Sequence, residues 1–570
     1  MIKKHVKKAI SVILCVTLIV TLFSACKSRG TKKLDFIYPF SADINSYDPQ
    51  VASTADEYLV IENTFEGLIR IDDDGTVKNG CAESYEVSKD GLTYTFKLKK
   101  GLKWDIKTDK YKEGEMKGEY KDKRLRMLGY EFKPDITAKD FVFALQRAVL
   151  PDTDSPMFPS LAAIKNAPEI HSGKLSVSTL GVKAADDYTL IINLSSADSS
   201  FLQTLTTAVA MPCNKEFFNA CKGRYGIGEG YTLFNGQFYV DQILKESYLL
   251  KKNDEYKGEF PAKADELTLK ILTDDDKKDI KKNVTARLDS GYYDAAFITG
   301  GESEKLKDSK GINYIPYEDT TWVLMLNTNN EVFQSKSMRK AFCIGLSRPA
   351  NAEKEYLSDS KSIIPEACTI EGRSVKKELG NIAPEPDTNE SIKLWKKGLE
   401  IIDMTEINIT VLTTPELENT LKAYLQGIQS GISGVNKNDD GDVIRYSIKV
   451  EAHDSEELLS LLKTREYDAA FYPYKSVSTS AVTYLKAFSA NNRTGFDSKK
   501  YDEALEKAEK AASADDELKY VKEAEKELIS SYTVFPLVSE KSYYASAKGV
   551  SGVQFHAGSG RVSFVYATRK

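Results

Sequence analysis

Ala82-Glu83-Ser84-Tyr85-Glu86-Val87-Ser88-Lys89-Asp90-Gly91-Leu92-Thr93-Tyr94-Thr95-Phe96-Lys97-Leu98-Lys99 contains one strict alternation and one turn signal. From Leu92 to Lys99 every second residue is apolar, which puts Leu92, Tyr94, Phe96 and Leu98 on one face of a half-buried strand. The Asp90-Gly91 pair just before it marks a hairpin, because glycine tolerates the positive φ that tight β-turns need. Downstream, Thr137-Ala138-Lys139-Asp140 resembles a capping box with Asp in place of Glu. It opens a helix that buries Phe141, Leu145, Ala148 and Val149 and is ended by Pro151.

The same signals recur along the chain. Asp187–Leu194 and Glu266–Leu272 read as strands, and Ile280–Leu288 and Ser337–Leu346 as helices. Ser498–Ala512 and Asp516–Ser530 read as long amphipathic helices. Strands and helices alternate without a fixed period, so the class is α/β and not a repeat array. Between Trp104 and Pro134 charges of both signs crowd together with Gly114, Gly118 and Gly129, as expected of an exposed insertion.

Composition narrows the function. The chain has 570 residues, 41% hydrophobic and 29% charged, which suits several folded domains and excludes a disordered or polytopic membrane protein. Its net charge is −5, and the first 25 residues hold four lysines and no acid, so the remainder is more acidic still. Such a body has no overall attraction for nucleic acid. The four histidines (His5, His171, His453, His556) show no metal-ligand spacing, so no metal and no cofactor is expected. There is no Gly-x-Ser-x-Gly elbow, no His-Glu-x-x-His and no phosphate loop, and Gly226–Gly230 reads as a turn. Paired carboxylates cannot be recognised by spacing among 84 acids, so a glycosidase is neither supported nor excluded. The chain is expected not to be an enzyme.

Residues 1–8 are basic and Ala9–Phe23 is an apolar run, the layout of a secretory signal. Leu22-Phe23-Ser24-Ala25-Cys26 resembles the lipobox of bacterial lipoproteins, with Phe23 where leucine is usual. The resemblance implies cleavage after residue 25, a lipid anchor on Cys26 and a tether over 26–34. An ordinary signal cut nearby is the alternative. Cys81, Cys213, Cys221, Cys343 and Cys368 remain, an odd number, so at least one is free or pairs between chains. Cys213 and Cys221 could pair or stay as buried thiols.

Several segments in order resemble the family 5 extracellular solute-binding proteins, the oligopeptide- and dipeptide-binding components of ABC importers. They are Ser46–Pro49, Asn63–Leu68, Ala82–Phe96, Lys103-Trp104, Thr137–Phe141, Asp186–Leu190, Asn235–Phe238, Asn327-Thr328, Arg339–Phe342, Tyr467–Ala470 and Asn491–Glu503. The resemblance implies a two-lobed periplasmic-binding-protein-like α/β fold (type II, cluster C) with an extra α/β domain inserted in the first lobe. Domain I would be 35–78, 211–318 and 536–570, domain II 79–210 and domain III 319–535. It implies capture of an oligopeptide or similar extended solute between closing lobes and delivery to a permease driven by an ATPase. The protein would be a monomer at the extracytoplasmic face of the cell membrane. A surface receptor for a peptide signal on the same fold is the alternative, and a secreted hydrolase a more distant one.

Mapped by motif, Ser53-Thr54-Ala55 and Tyr472-Pro473-Tyr474-Lys475-Ser476-Val477 would line the ligand cleft from the two sides. Core packing is the competing reading for the tyrosines, and a solvated loop charge for Lys475. In many peptide binders the second segment carries an aspartate for the ligand's α-ammonium. Here no acid lies between Asp468 and Asp497, and Lys475 falls near that place. A blocked or reversed peptide, an acidic ligand meeting Lys475, or an acid supplied elsewhere would each restore binding. Nickel is disfavoured because His453 has no evident partner in the sequence.

Overall fold

The computed structural model describes residues 33–40, 44–72, 76–106, 123–129, 131–198, 200–272, 283–349, 354–402, 404–435, 437, 441, 443–476, 478–489, 493–511, 513–556 and 561–570. Cys26, Val477 and most of the charged insertion lie outside them, as does the start of the Ile280–Leu288 helix.

Three larger sheets organise the chain. In the first, Asp35–Phe40 pairs in parallel with Glu266–Ile271, which continues antiparallel to Ser247–Lys252 and Phe238–Leu244. In the second, Ala82–Val87 and Thr93–Leu98 form the hairpin read from the alternation, with Gly91 at φ +69 in its turn. Thr189–Asn193 and Val182–Asp186 extend that sheet. Helix α1 (Ala55–Thr64) belongs with the first sheet's core, and helix α2 (Ala138–Val149) opens on the expected Thr137–Asp140 capping box. Gly226 has φ +81, and a Cβ there would lie 2.7 Å from the Asp48 backbone nitrogen, so the glycine is required where this turn meets the Ser46–Pro49 loop.

The third sheet has seven strands. Its centre is β1 (Asn313–Leu326) between β2 (Ala469–Lys475) and β3 (Val534–Ser546). Ala295–Ile298 and Leu357–Asp359 pair with β3, and Glu406–Thr413 and Arg445–Ala452 continue beyond β2. Helix α3 (Ala514–Ser531) precedes β3.

Two hydrophobic cores result. One gathers residues from Phe36 to Ile312 and from Tyr544 to Ala567; the other runs from Trp322 to Val538. Among the described residues, only β1 and β3 run from one core into the other as a paired ladder. Their register breaks between Tyr317–Ser542 and Thr320–Glu540, leaving Glu318 and Asp319 opposite the single residue Lys541. That is a β-bulge, which bends a strand and loosens its ladder locally. It lies where the chain passes from one core to the other.

All five described cysteines are buried and free, so Cys213 and Cys221 do not pair. Burial pushes their thiols up, to about 12 and about 11 respectively. Cys213 instead accepts from Arg147, whose guanidinium also forms a 2.5 Å ion pair with the buried Asp48 carboxylate. Among the described residues no helix is long and apolar enough to cross a membrane.

Candidate functional site

Ser53–Ala55, expected on one side of a ligand cleft, lie at the entry to α1. Thr54 is its N-cap and accepts from the Glu57 backbone N–H at 3.2 Å. The Glu57 carboxylate, 2% exposed, accepts from the backbone N–H groups of Asn45, Ser46, Ser53 and Thr54 at 2.8–3.2 Å. One side chain therefore fixes the whole loop entering the helix, and Ser53, Thr54 and Ala55 stand exposed on it.

Tyr472–Ser476, expected on the other side, lie at and just after the end of β2. Tyr472, Pro473 and Tyr474 are half-buried. The Tyr474 ring packs 4.4 Å from Phe488, and Arg493 lies 5.0 Å over Tyr472. Burial pushes the Tyr474 hydroxyl up to about 12. The tyrosines thus share their surface between core packing and solvent. Ser476 is buried, with its N–H donating 2.8 Å to the Asp319 carbonyl and its hydroxyl to the Ser478 carbonyl.

Lys475 has a partner that segment 468–497 does not contain. The β1–β2 ladder puts Thr320 opposite Lys475, and Lys475 Nζ lies 3.4 Å from Asp319 Oδ2 on the bulge. The Asp319 side chain is 5% exposed against 61% for Lys475. Close by, Trp322 Nε1 donates 2.8 Å to Glu540, whose carboxyl burial holds above its ordinary value, with the Asp319 charge adding to it. Neither acid was marked by the sequence reading, because each comes from a strand remote in the chain.

Two cavities are lined by residues of both cores. A crevice of about 510 Å³ separates the Ser88–Gly91 hairpin turn from Thr369–Glu371 and the start of α3. A second cavity, about 230 Å³, begins one turn into α1 at Tyr58 and Ile61 and is closed by Ser478–Ser480 from the other core. Both share Ser200 and Gln203 as lining residues. Ser53–Ala55 and Tyr472–Ser476 adjoin this lining in sequence without forming part of it. Arg561, at the far end of the chain, donates 2.7 Å to the Thr206 carbonyl and pairs with Glu62 at 3.4 Å. His556 is buried nearby, and burial pushes its imidazole down to about 4. No sequence spacing could have joined Tyr58, Ser480 and Arg561.

Among the described residues no group of three or more His, Cys, Asp or Glu side chains is arranged to hold a metal ion. His453, unpartnered by the sequence reading, sits between Glu451 at 3.3 Å and Glu457 at 3.1 Å. Adjacency two residues before and four after it on a strand-to-helix turn accounts for both.

The model of the bacterial extracellular solute-binding proteins, family 5 (middle region), matches residues 76–365. The chain is 24% identical over 583 residues to the oligopeptide-binding protein OppA of Bacillus subtilis, covering 98% of this chain and 99% of that protein. Among solved structures it resembles Listeria monocytogenes OppA bound to peptide, with TM-score 0.66, 21% identity and coverage of 95% and 100%. It also resembles the pheromone receptor PrgZ, with TM-score 0.65, 21% identity and coverage of 94% and 100%.

Proposed function

Because this chain belongs to the bacterial extracellular solute-binding proteins of family 5, we propose that it captures an oligopeptide between its two lobes. The observation that carries this reading is the pair of cavities lying between two separate cores. A ligand held there touches both lobes at once, so its binding energy favours the closed arrangement. The bulge at Glu318–Asp319 supports a hinge, since it weakens the ladder where the chain changes core. Outside the two cavities, the Lys475–Asp319 pair supports two recognition modes for a ligand that extends past them toward β2. Lys475 offers a cation to a ligand carboxylate, while Asp319 is an acid that a peptide ammonium could take over from it.

The protein delivers its peptide to a permease with a cytoplasmic ATPase, as a monomer held at the extracytoplasmic face by lipid on Cys26, and it performs no chemistry on the ligand. The likeness to a pheromone receptor favours a second reading, in which the same cleft hands a peptide signal to a transporter or sensor. One experiment addresses the core claims. The chain is extracted from membranes in mild detergent, and its intact mass and co-purifying small molecules are read by mass spectrometry. Short peptides at one per chain and an N-terminal lipidated Cys26 are the expected outcome; a non-peptide ligand would overturn the peptide reading, and an unmodified Cys26 would overturn the anchor. A ladder of many peptides points to import, and a single defined peptide to signalling.

A further inference from the structure

The Gly226–Gly230 turn lines neither cavity, yet it holds Tyr231 beside two cations. Its backbone is tied down: the Gly226 N–H donates 3.0 Å to the Tyr231 carbonyl, and the Tyr231 N–H donates 3.0 Å to the Gly228 carbonyl. A Cβ on Gly230 would lie 3.0 Å from Lys123 Cδ, so the bare glycine makes room for the lysine stem. Lys123 Nζ then stands 3.7 Å from the Tyr231 ring centroid, and Arg224 Cζ 4.6 Å from it. Arg224 Nη1 donates 2.8 Å to the Tyr231 hydroxyl, and its Nε donates 3.2 Å to the Cys221 carbonyl. A hydrogen bond from Lys123 reaches the same hydroxyl and, with the Arg224 charge, holds it below its ordinary value. A phenolic oxygen has two lone pairs and one proton. With both lone pairs engaged by cations, the Tyr231 O–H is turned outward as a donor. Among the described residues neither cation forms an ion pair, and no carboxylate is among the groups that shift the hydroxyl. Glu229, the one acid on the turn, is exposed.

Two like charges so close together repel, and an anion set between them relieves that repulsion. We propose that Lys123, Arg224 and Tyr231 form a surface site for a phosphate group, separate from the peptide cleft. The free Nη2 edge of Arg224, the Lys123 ammonium and the Tyr231 O–H offer donors to several oxygens at once, which suits a tetrahedral phosphate. Free phosphate compounds and the phosphodiester headgroup of an anionic lipid share this chemistry, and the test separates them.

Calorimetry on the full chain in nonionic detergent uses two probes, inorganic phosphate and glycerophosphoglycerol, the water-soluble headgroup of phosphatidylglycerol. At least one probe should bind at one per chain with a dissociation constant below about 10 mM. Arg224→Gln and Lys123→Gln should each weaken it about tenfold. Tyr231→Phe keeps the ring and removes the proton donor, and should weaken it about threefold to tenfold. Glu229→Gln, which removes the acid on the turn, should tighten it. Arg224→Gln also loses the bond to the Cys221 carbonyl, so if it does not fold, Lys123→Gln on its exposed helix turn carries the test. Peptide binding should be the same in all four variants, because none of these residues lines a cavity. Inorganic phosphate bound more tightly than the diester identifies a free phosphate compound as the ligand. The diester bound as tightly or more so identifies a lipid headgroup, and either result supports the site. No saturable binding of either probe would overturn it. So would binding that Arg224→Gln, Lys123→Gln and Tyr231→Phe all leave unchanged.

Discussion

At Lys475 an ammonium that is 61% exposed faces a carboxylate that is 5% exposed, 3.4 Å away. The pair is worth little as a surface salt bridge, about 0.5–1 kcal/mol, because the lysine is hydrated on most of its surface. Asp319 keeps a 2.8 Å hydrogen bond from the Thr320 hydroxyl when the lysine is gone. Lys475→Ala should therefore change the melting temperature only slightly, while weakening a ligand with an anionic group at this end about tenfold. An unchanged dissociation constant by calorimetry would reduce Lys475 to a companion of Asp319. His556 makes the complementary case of a group the fold holds neutral. Burial, with the Arg561 charge adding to it, pushes its imidazole down to about 4 from the ordinary 6.5. As pH falls the unfolded chain takes up the proton first. The contribution to stability is thus complete above 6.5 and lost as pH drops from 6.5 toward 4. His556→Gln cannot take up that proton, so its loss of melting temperature between about pH 7 and about pH 4.5 should be smaller than the parent's. Parallel losses in the two proteins would refute the assignment.

At the scale of elements, the entry to α1 depends on Glu57 more than on its N-cap. Thr54→Ala removes one capping acceptor and should cost about 1 kcal/mol. Glu57→Ala strips the acceptor from four backbone N–H groups and should cost about 3 kcal/mol or more, read from urea midpoints. Equal losses would mean that the loop holds itself. Elements of this kind were legible wherever their signal is local. Thr93–Leu98 is visible in its alternation and α2 in its Thr137–Asp140 box, since the residues that stabilise them are neighbours in the chain. The bulge in β1 was not legible, because a register is a relation between Tyr317 and Ser542 or Thr320 and Glu540, and no local pattern encodes it. Asp319 is illegible for the same reason: the motif points to an acid within residues 468–497, whereas the ladder delivers one from β1. The smaller cavity is the extreme case, assembled from Tyr58, Met211, Ser480 and Arg561 by topology alone.

At the scale of the molecule, two cores are linked, among the described residues, by one bulged pair of strands, and the proposed capture makes that pair the joint. Within each core close packing resists bending, so on that reading motion is expected to concentrate at Glu318–Asp319 and Lys541, the register break that lies between the cores. The crevice between the Ser88–Gly91 turn and the start of α3 is then the gauge of closure, since its walls belong to different cores. The native cysteines allow it to be read, because all five among the described residues are buried and a thiol-reactive spin label would ignore them. Lys89 is exposed on one wall and Asp515 on the other side, where its only described ion pair is an exposed one with Arg373. Lys89→Cys with Asp515→Cys should thus leave the fold intact. Pulsed electron resonance on the labelled pair should give a broad distance distribution in the free protein. Bound peptide should shift it to a shorter and narrower one, because only the closed arrangement lets the ligand touch both walls. Identical distributions with and without peptide would mean that the lobes are fixed and that the bulge bends the strands without serving as a hinge.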